Sequence, residues 1–230
     1  MIAHRFHVMT EVMVSKLFPA GFAWQGASII ADNLGMSAES LSFALTTGIG
    51  DGLGVFTGHT LFMAIKKTVT GNDSIDIGSE VQTGLLLGSA AFCSGTVWQP
   101  VVNALTSMSG DFNITAAGTT ITCGVAFFGG LRLARTLYPR LGMTAIESPS
   151  SSNLKSDATL SMSIGGATGA FVGTDISFGD QNWLRPVFGI EDSAGALAGM
   201  TTAGSSTAFG FATFQSVQNV SLPHGKTWVD

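Results

Sequence analysis

Gly50, Gly54 and Gly58 stand four residues apart, and the same triplet returns 115 residues later as Gly165, Gly169 and Gly173. Ile49 and Phe56 return with it as Ile164 and Phe171. Four-residue spacing lines three glycines along one face of an α-helix. Such a stripe lets a second backbone approach where any side chain would hold it off. Charged residues make up 11% of the chain and hydrophobic ones 45%, far from the ~25% charged fraction of soluble domains. The expected solvent is therefore a bilayer, where small residues rather than hydrophobic drive bring helices together. The thirty glycines follow no Gly-X-Y period, and the apolar content is too high for a disordered chain.

Six runs read as membrane spans: Leu17–Ala31, Leu41–Ile65, Val81–Leu105, Ile114–Leu131, Thr159–Phe178 and Ala194–Val217. Each is diluted by Gly, Ala, Ser and Thr, so hydropathy marks them weakly. The expected connectors are residues 33–40, 68–80, 107–113, the serine-rich 147–157, and 179–192. If the spans alternate, Arg5, Lys16, Lys66, Lys67, Arg132, Arg135, Arg140, Lys155 and Lys226 fall on one side, and Arg185 alone on the other. That asymmetry places both termini on the cytoplasmic or equivalent face of an integral membrane protein; which membrane it is, the sequence does not say. Residues 1–15 carry His4, Arg5, His7 and Glu11 without a sustained apolar core, so they do not read as a signal peptide.

The repeat extends beyond the glycines. Leu34-Gly35-Met36-Ser37-Ala38 after the first span matches Leu141-Gly142-Met143-Thr144-Ala145 after the fourth. Gln99 and Asn103 in the third span match Gln215 and Asn219 in the sixth at an offset of 116, as Gly88-Ser89 matches Gly204-Ser205. A unit with an odd number of spans, copied in tandem, faces the opposite way the second time. The expected fold class is an all-α integral membrane protein with six transmembrane helices in two inverted three-helix repeats. It forms a single transmembrane domain over 1–230, with repeat 1 at about 1–110 and repeat 2 at about 111–230. The two glycine stripes are expected as helix-packing surfaces, one from each repeat crossing at the pseudo-two-fold axis; the alternative is that glycine kinks these helices and frees carbonyls to line a polar path.

Asp51 lies inside the second span beside the stripe, where an ionised carboxylate is costly unless paired or hydrated. It reads as a functional group, or as an acid at a helix break near water, or as a protonated and hydrogen-bonded one. His59 reads as a hydrogen-bonded packing residue ahead of a proton relay or ligand. Gln99, Asn103, Gln215 and Asn219 are amides that gate a pathway or cap helices. Cys93 and Cys123 read as small packing residues, too few for a disulfide framework or zinc site. No catalytic constellation, metal site or phosphate loop is legible, and the chain does not read as an enzyme. No cofactor is specified. A diffuse net charge of −5 leaves no nucleic-acid footprint. The expected partners are the lipid bilayer and either further copies of the chain or a membrane assembly that contains it. The expected function is a channel or carrier for an ion or small polar solute. The alternatives are a non-catalytic structural subunit of a membrane complex and a pigment- or lipid-binding membrane protein.

Overall fold

The computed structural model describes residues 9–177, 200–201, 203–205 and 207–212. These residues are all-α and form six helical segments. The first begins with helical residues 9–12 and a π-helical turn, Met13–Leu17, which runs into α1, Phe18–Asn33. Pro19 has no N–H to give the carbonyl four residues back and crowds it. The wider π turn at that place relieves the conflict.

α2, Leu41–Thr70, starts where Ser40 Oγ accepts the Phe43 N–H at 3.1 Å, and it stops at left-handed Gly71. α3, Ile77–Ser109, is capped by Asp76, which accepts the Gly78 and Ser79 N–H groups, each at 3.2 Å. The Ser79 hydroxyl, then those amides, hold the Asp76 carboxyl below the usual carboxylate range. α4, Phe112–Leu137, is capped by Asp111 and followed by a short turn of 3-10 helix, Pro139–Leu141. α5 runs from Ser151 to Ser177. The sixth segment comprises the helical residues 200–201, 203–205 and 207–212.

The helices outrun several expected spans. Pro100 does not end α3, which continues to Ser109. Residues 147–157, expected as a connector, are helical from Ser151. Their serines serve as a helix start: Asn153 N–H donates to Ser150 Oγ at 3.3 Å while Ser150 N–H donates to Asn153 Oδ1 at 3.0 Å. This reciprocal arrangement satisfies two N–H groups that a helix start leaves open.

The two Leu-Gly-Met segments fold alike. Met36 N–H bonds Ala31 O and Gly35 N–H bonds Asp32 O; Met143 N–H bonds Tyr138 O and Gly142 N–H bonds Pro139 O. Each is a Schellman ending with glycine in the left-handed region, at φ of 73° and 86°.

The glycine stripes are also used alike, though not as expected. A Cβ on Gly54 would meet Pro19 O at 2.2 Å, and one on Gly50 would meet Ala23 O at 2.6 Å, so this stripe lies on α1. A Cβ on Gly165 would meet Thr120 O at 2.3 Å, and one on Gly169 would meet Ala116 O at 2.8 Å, so the second stripe lies on α4. Each therefore presses on the helix that precedes it in its own half, and the expectation that the two stripes cross one another is corrected. An axis crossing would have to place α2 against α5, whereas short connections pair consecutive antiparallel helices first. Gly173 lies within α5.

α2 and α3 meet backbone to backbone at Gly52 and Gly88, α3 and α4 at Ala90 and Gly130, and the sixth segment meets α1 through Gly204 and Phe18 O. Leu17, Ala167, Ala208 and Phe211 pack together, so the sixth segment also touches α5. The distribution of side chains is inside out. Alanine, glycine, serine and threonine dominate the buried positions. Leu41, Leu45, Ile49, Leu53, Leu61 and Ile65 of α2 are exposed along its outer face, four or eight residues apart, joined by Ile121, Val125 and Leu133 of α4. Two helical segments, Ile77–Ser109 and Asn113–Leu141, are long and apolar enough to cross a membrane by length and composition.

Candidate functional site

Antiparallel packing of α2 on α3 sets a register that decides which polar side chains meet. Gly48 lies against Phe92 and Thr96, Asp51 against Gly95, Gly52 against Gly88, and Phe56 and Thr60 against Gly84. One turn further on, His59 reaches Glu80, with Nε2 2.9 Å from Oε2. The seam thus carries two ionisable levels on α2, eight residues apart, or ~12 Å of helix rise.

At the first level, Asp51 is half-buried and its carboxylate oxygen would touch a Cβ placed on Gly95 at 2.8 Å. Only glycine at 95 leaves that space. No hydrogen bond reaches this carboxylate among the described residues. It is within electrostatic reach of buried Cys123 on α4, whose sulfur faces Ser94 O at 3.8 Å. Buried Thr119 lies one turn from Cys123 and carries a hydroxyl without a partner.

At the second level, His59 is 6% exposed, and among the described residues neither its buried Nδ1 nor the buried Thr60 hydroxyl has a hydrogen-bond partner. Lys16, Glu80 and Glu11 all face the imidazole. Lys66 Nζ donates to Glu11 Oε2 at 2.9 Å, and Lys16 Nζ donates to Ser15 Oγ at 3.1 Å. Five ionisable groups from the first segment, α2 and α3 therefore converge at one end of the bundle.

A different cluster binds α4 to α5 at that same end. Arg135 engages Asp157 through two nitrogens, Nε at 2.9 Å from Oδ2 and Nη2 at 2.9 Å from Oδ1. Arg132 Nη1 donates to Asn153 Oδ1 at 2.7 Å and to Asp157 Oδ2 at 3.3 Å. Gln82 Oε1 on α3 accepts the Ala145 N–H at 2.9 Å and ties the two halves together there. Beside it opens a cavity of about 460 Å³ lined by Thr83, Arg135, Glu147, Ser152 and Asn153. On the outer face, Gly52, Gly88 and Gly130 floor an apolar groove of about 450 Å³ walled by Phe56 and Phe92. The Ser89 and Tyr138 hydroxyls are hydrogen-bonded to each other at its edge.

Asp51 and His59 thus share one seam. Gln99 and Asn103 stand apart from His59, on the far side of Asp51, where Gln99 Nε2 donates to Asn103 Oδ1 at 2.8 Å within α3. Gln215 and Asn219 lie outside the described residues. Sequence reasoning missed Glu80 and Asp157, having assigned both to connectors. Arg132 and Arg135, three apart and so on one helix face, were the available hint of a shared acidic partner. Among the described residues no group of three His, Cys, Asp or Glu side chains could hold a metal ion. Compared with protein-family models, with characterised proteins and with solved structures, the chain matches none.

Proposed function

We propose that the chain is a six-span membrane protein of two inverted three-helix units, and that it works as a channel or carrier for an ion or small polar solute. The inside-out distribution of side chains supports the membrane reading, because a lipid-facing surface favours Leu, Ile and Val while helix seams favour small residues. The Trp24–Trp98 ring pair, with centroids 5.0 Å apart, lies near the level of Thr46. From there to Lys66 is about twenty residues, ~30 Å of helix, which is the thickness of a hydrocarbon core. Aromatic rings at one limit and lysines at the other suit the two interfaces. Matched Schellman turns and matched glycine stripes support the duplication.

The observation that carries the transport reading is the Asp51 carboxylate. It is set in the α2–α3 seam against Gly95, with no hydrogen-bond donor among the described residues and within electrostatic reach of the Cys123 thiol of α4. Intramembrane acids mark ion pathways or relays unless they are structurally paired. The test is flux in liposomes reconstituted with the full chain. Asp51→Asn is expected to reduce it at least tenfold, and unchanged flux removes Asp51 from the mechanism. Cysteines placed at Ser74 and Ser109, with Cys93 and Cys123 replaced, are expected to label from opposite sides of the bilayer. Labelling from one side overturns the topology.

The second reading, a structural subunit of a membrane assembly, is favoured by the apolar groove at Gly52, Gly88 and Gly130 on the outer face. A subunit of that kind co-purifies with its partners in fixed ratio in mild detergent and carries no flux when reconstituted alone.

A further inference from the structure

A buried histidine with one ring nitrogen on a carboxylate and the other unpartnered has the makings of a proton shuttle, because each nitrogen can hold the proton in turn. His59 is such a residue. Its Nε2 lies 2.9 Å from Glu80 Oε2, while Nδ1 is buried with no hydrogen-bond partner among the described residues. It stands on the face of α2 that also carries Asp51, with Val55 midway and buried.

Resting on the transport reading above, we infer that the ion handled is the proton, and that His59 with Glu80 exchanges it between the Lys-rich end of the bundle and Asp51. In the transfer, Nδ1 takes up one proton from the Asp51 side as the proton on Nε2 passes to the Glu80 carboxylate. The ring is left as the other tautomer with no net charge gained, and rotation of the ring turns a protonated nitrogen back toward Glu80 for the next transfer. Glu80, now protonated, releases its proton to water at the bundle end. The ~12 Å of helix between Asp51 and His59 is too far for direct transfer and needs water or a hydroxyl between them.

The groups around His59 suit this task. Lys16 and Glu11 face the ring from the first segment and Glu80 from α3. Lys66 on α2 is held by Glu11. A lysine and carboxylates on one ring set opposing influences on its charge. Other ions are less well served: the seam's acids, Asp51 and Glu80, stand at different levels, and among the described residues no group of three His, Cys, Asp or Glu side chains could hold a metal ion.

The experiment uses the full chain in liposomes loaded with a pH-sensitive dye, with the membrane potential clamped by a potassium gradient and ionophore. Proton flux is expected, with an inflection in rate as the pH on the Lys-rich side is varied. His59→Gln, which keeps a hydrogen-bonding partner for Glu80, is expected to slow proton flux about tenfold and to abolish the inflection. Glu80→Gln is expected to slow it similarly while leaving Asp51 untouched. Both variants are checked for wild-type helicity and elution volume, and Glu80→Asp is expected to restore part of the rate if the folded protein is intact. Proton flux that ignores both substitutions overturns the inference. Flux of sodium or chloride that responds to Asp51→Asn without any proton flux also overturns it, yet leaves the pathway standing. No flux of any ion in the wild type sinks the pathway and the proton inference together.

Discussion

The α1–α2 and α4–α5 pairs are assembled by the same backbone device and clamped by different chemistry. In both, a glycine stripe on the second helix presses on carbonyl groups of the first. In the second pair, two arginines close on an aspartate that is 3% exposed. Arginine meets a carboxylate through a rigid planar fork, so that clamp is fixed in geometry. At that end of the first pair, Lys66 meets Glu11 of the first segment, and His59 meets Glu80 of α3 with Lys16 facing the ring; histidine is the side chain whose charge changes near neutral pH. The contrast separates a fixed joint from an adjustable one within a duplicated frame, and it explains why the proton inference falls on the first half.

The largest effect expected on that contrast comes from Arg135→Leu. It leaves the buried Asp157 carboxylate with only the longer Arg132 contact, at 3.3 Å, and the loss should be about 3–5 kcal/mol in unfolding titrations in detergent. Lys66→Leu removes a pair whose members are 34% and 23% exposed, and the loss should be below about 1 kcal/mol. Equal losses would erase the distinction between the joints.

Next come the shared stripes. Gly54→Val and Gly165→Val each drive a side chain into a carbonyl oxygen, so both should cost about 1–3 kcal/mol. Gly129→Val is the control, since nothing lies within 4 Å of that position. A pronounced mismatch between Gly54→Val and Gly165→Val would mean that the two pairs are not built alike.

The smallest effect concerns the exposed Asp76 cap of α3. Its carboxyl is held below the usual range, so its contribution is fully present above the unfolded-state value and is lost as pH falls through the lowered one. Asp76→Ala should therefore lower the thermal midpoint slightly at neutral pH and not at all in strong acid. A difference that persists in acid would assign Asp76 another role.

Much of the frame was readable from residue types and spacing. The matched Leu34-Gly35-Met36 and Leu141-Gly142-Met143 segments were legible as a repeat, and they form helix ends with the same bonds, because left-handed backbone favours glycine. The stripes announced close contact for an equally local reason, the absence of a Cβ. Their partners were another matter. Gly54 and Gly165 were expected at a central axis and instead meet α1 and α4. Ser150 and Asn153 looked like linker residues because a serine-rich run has the same composition in a loop and in a cap. Asp51 and His59 were legible as unusual residues for an apolar run, yet nothing nearby in the chain named Gly95 or Glu80 as what they face.

What residue order alone established here is that the chain is helical, roughly where its helices lie, and where glycine lets them touch; their ends ran past the expected spans. These depend on neighbours a few positions away. The pairing of His59 with Glu80, of Arg135 with Asp157 and of Lys66 with Glu11 joins residues 21, 22 and 55 positions apart. Such pairs are fixed by the rotation and depth at which one helix settles on another. A shift of one residue turns a helix face by roughly 100° and would replace every partner, so the charged contacts belong to the tertiary packing.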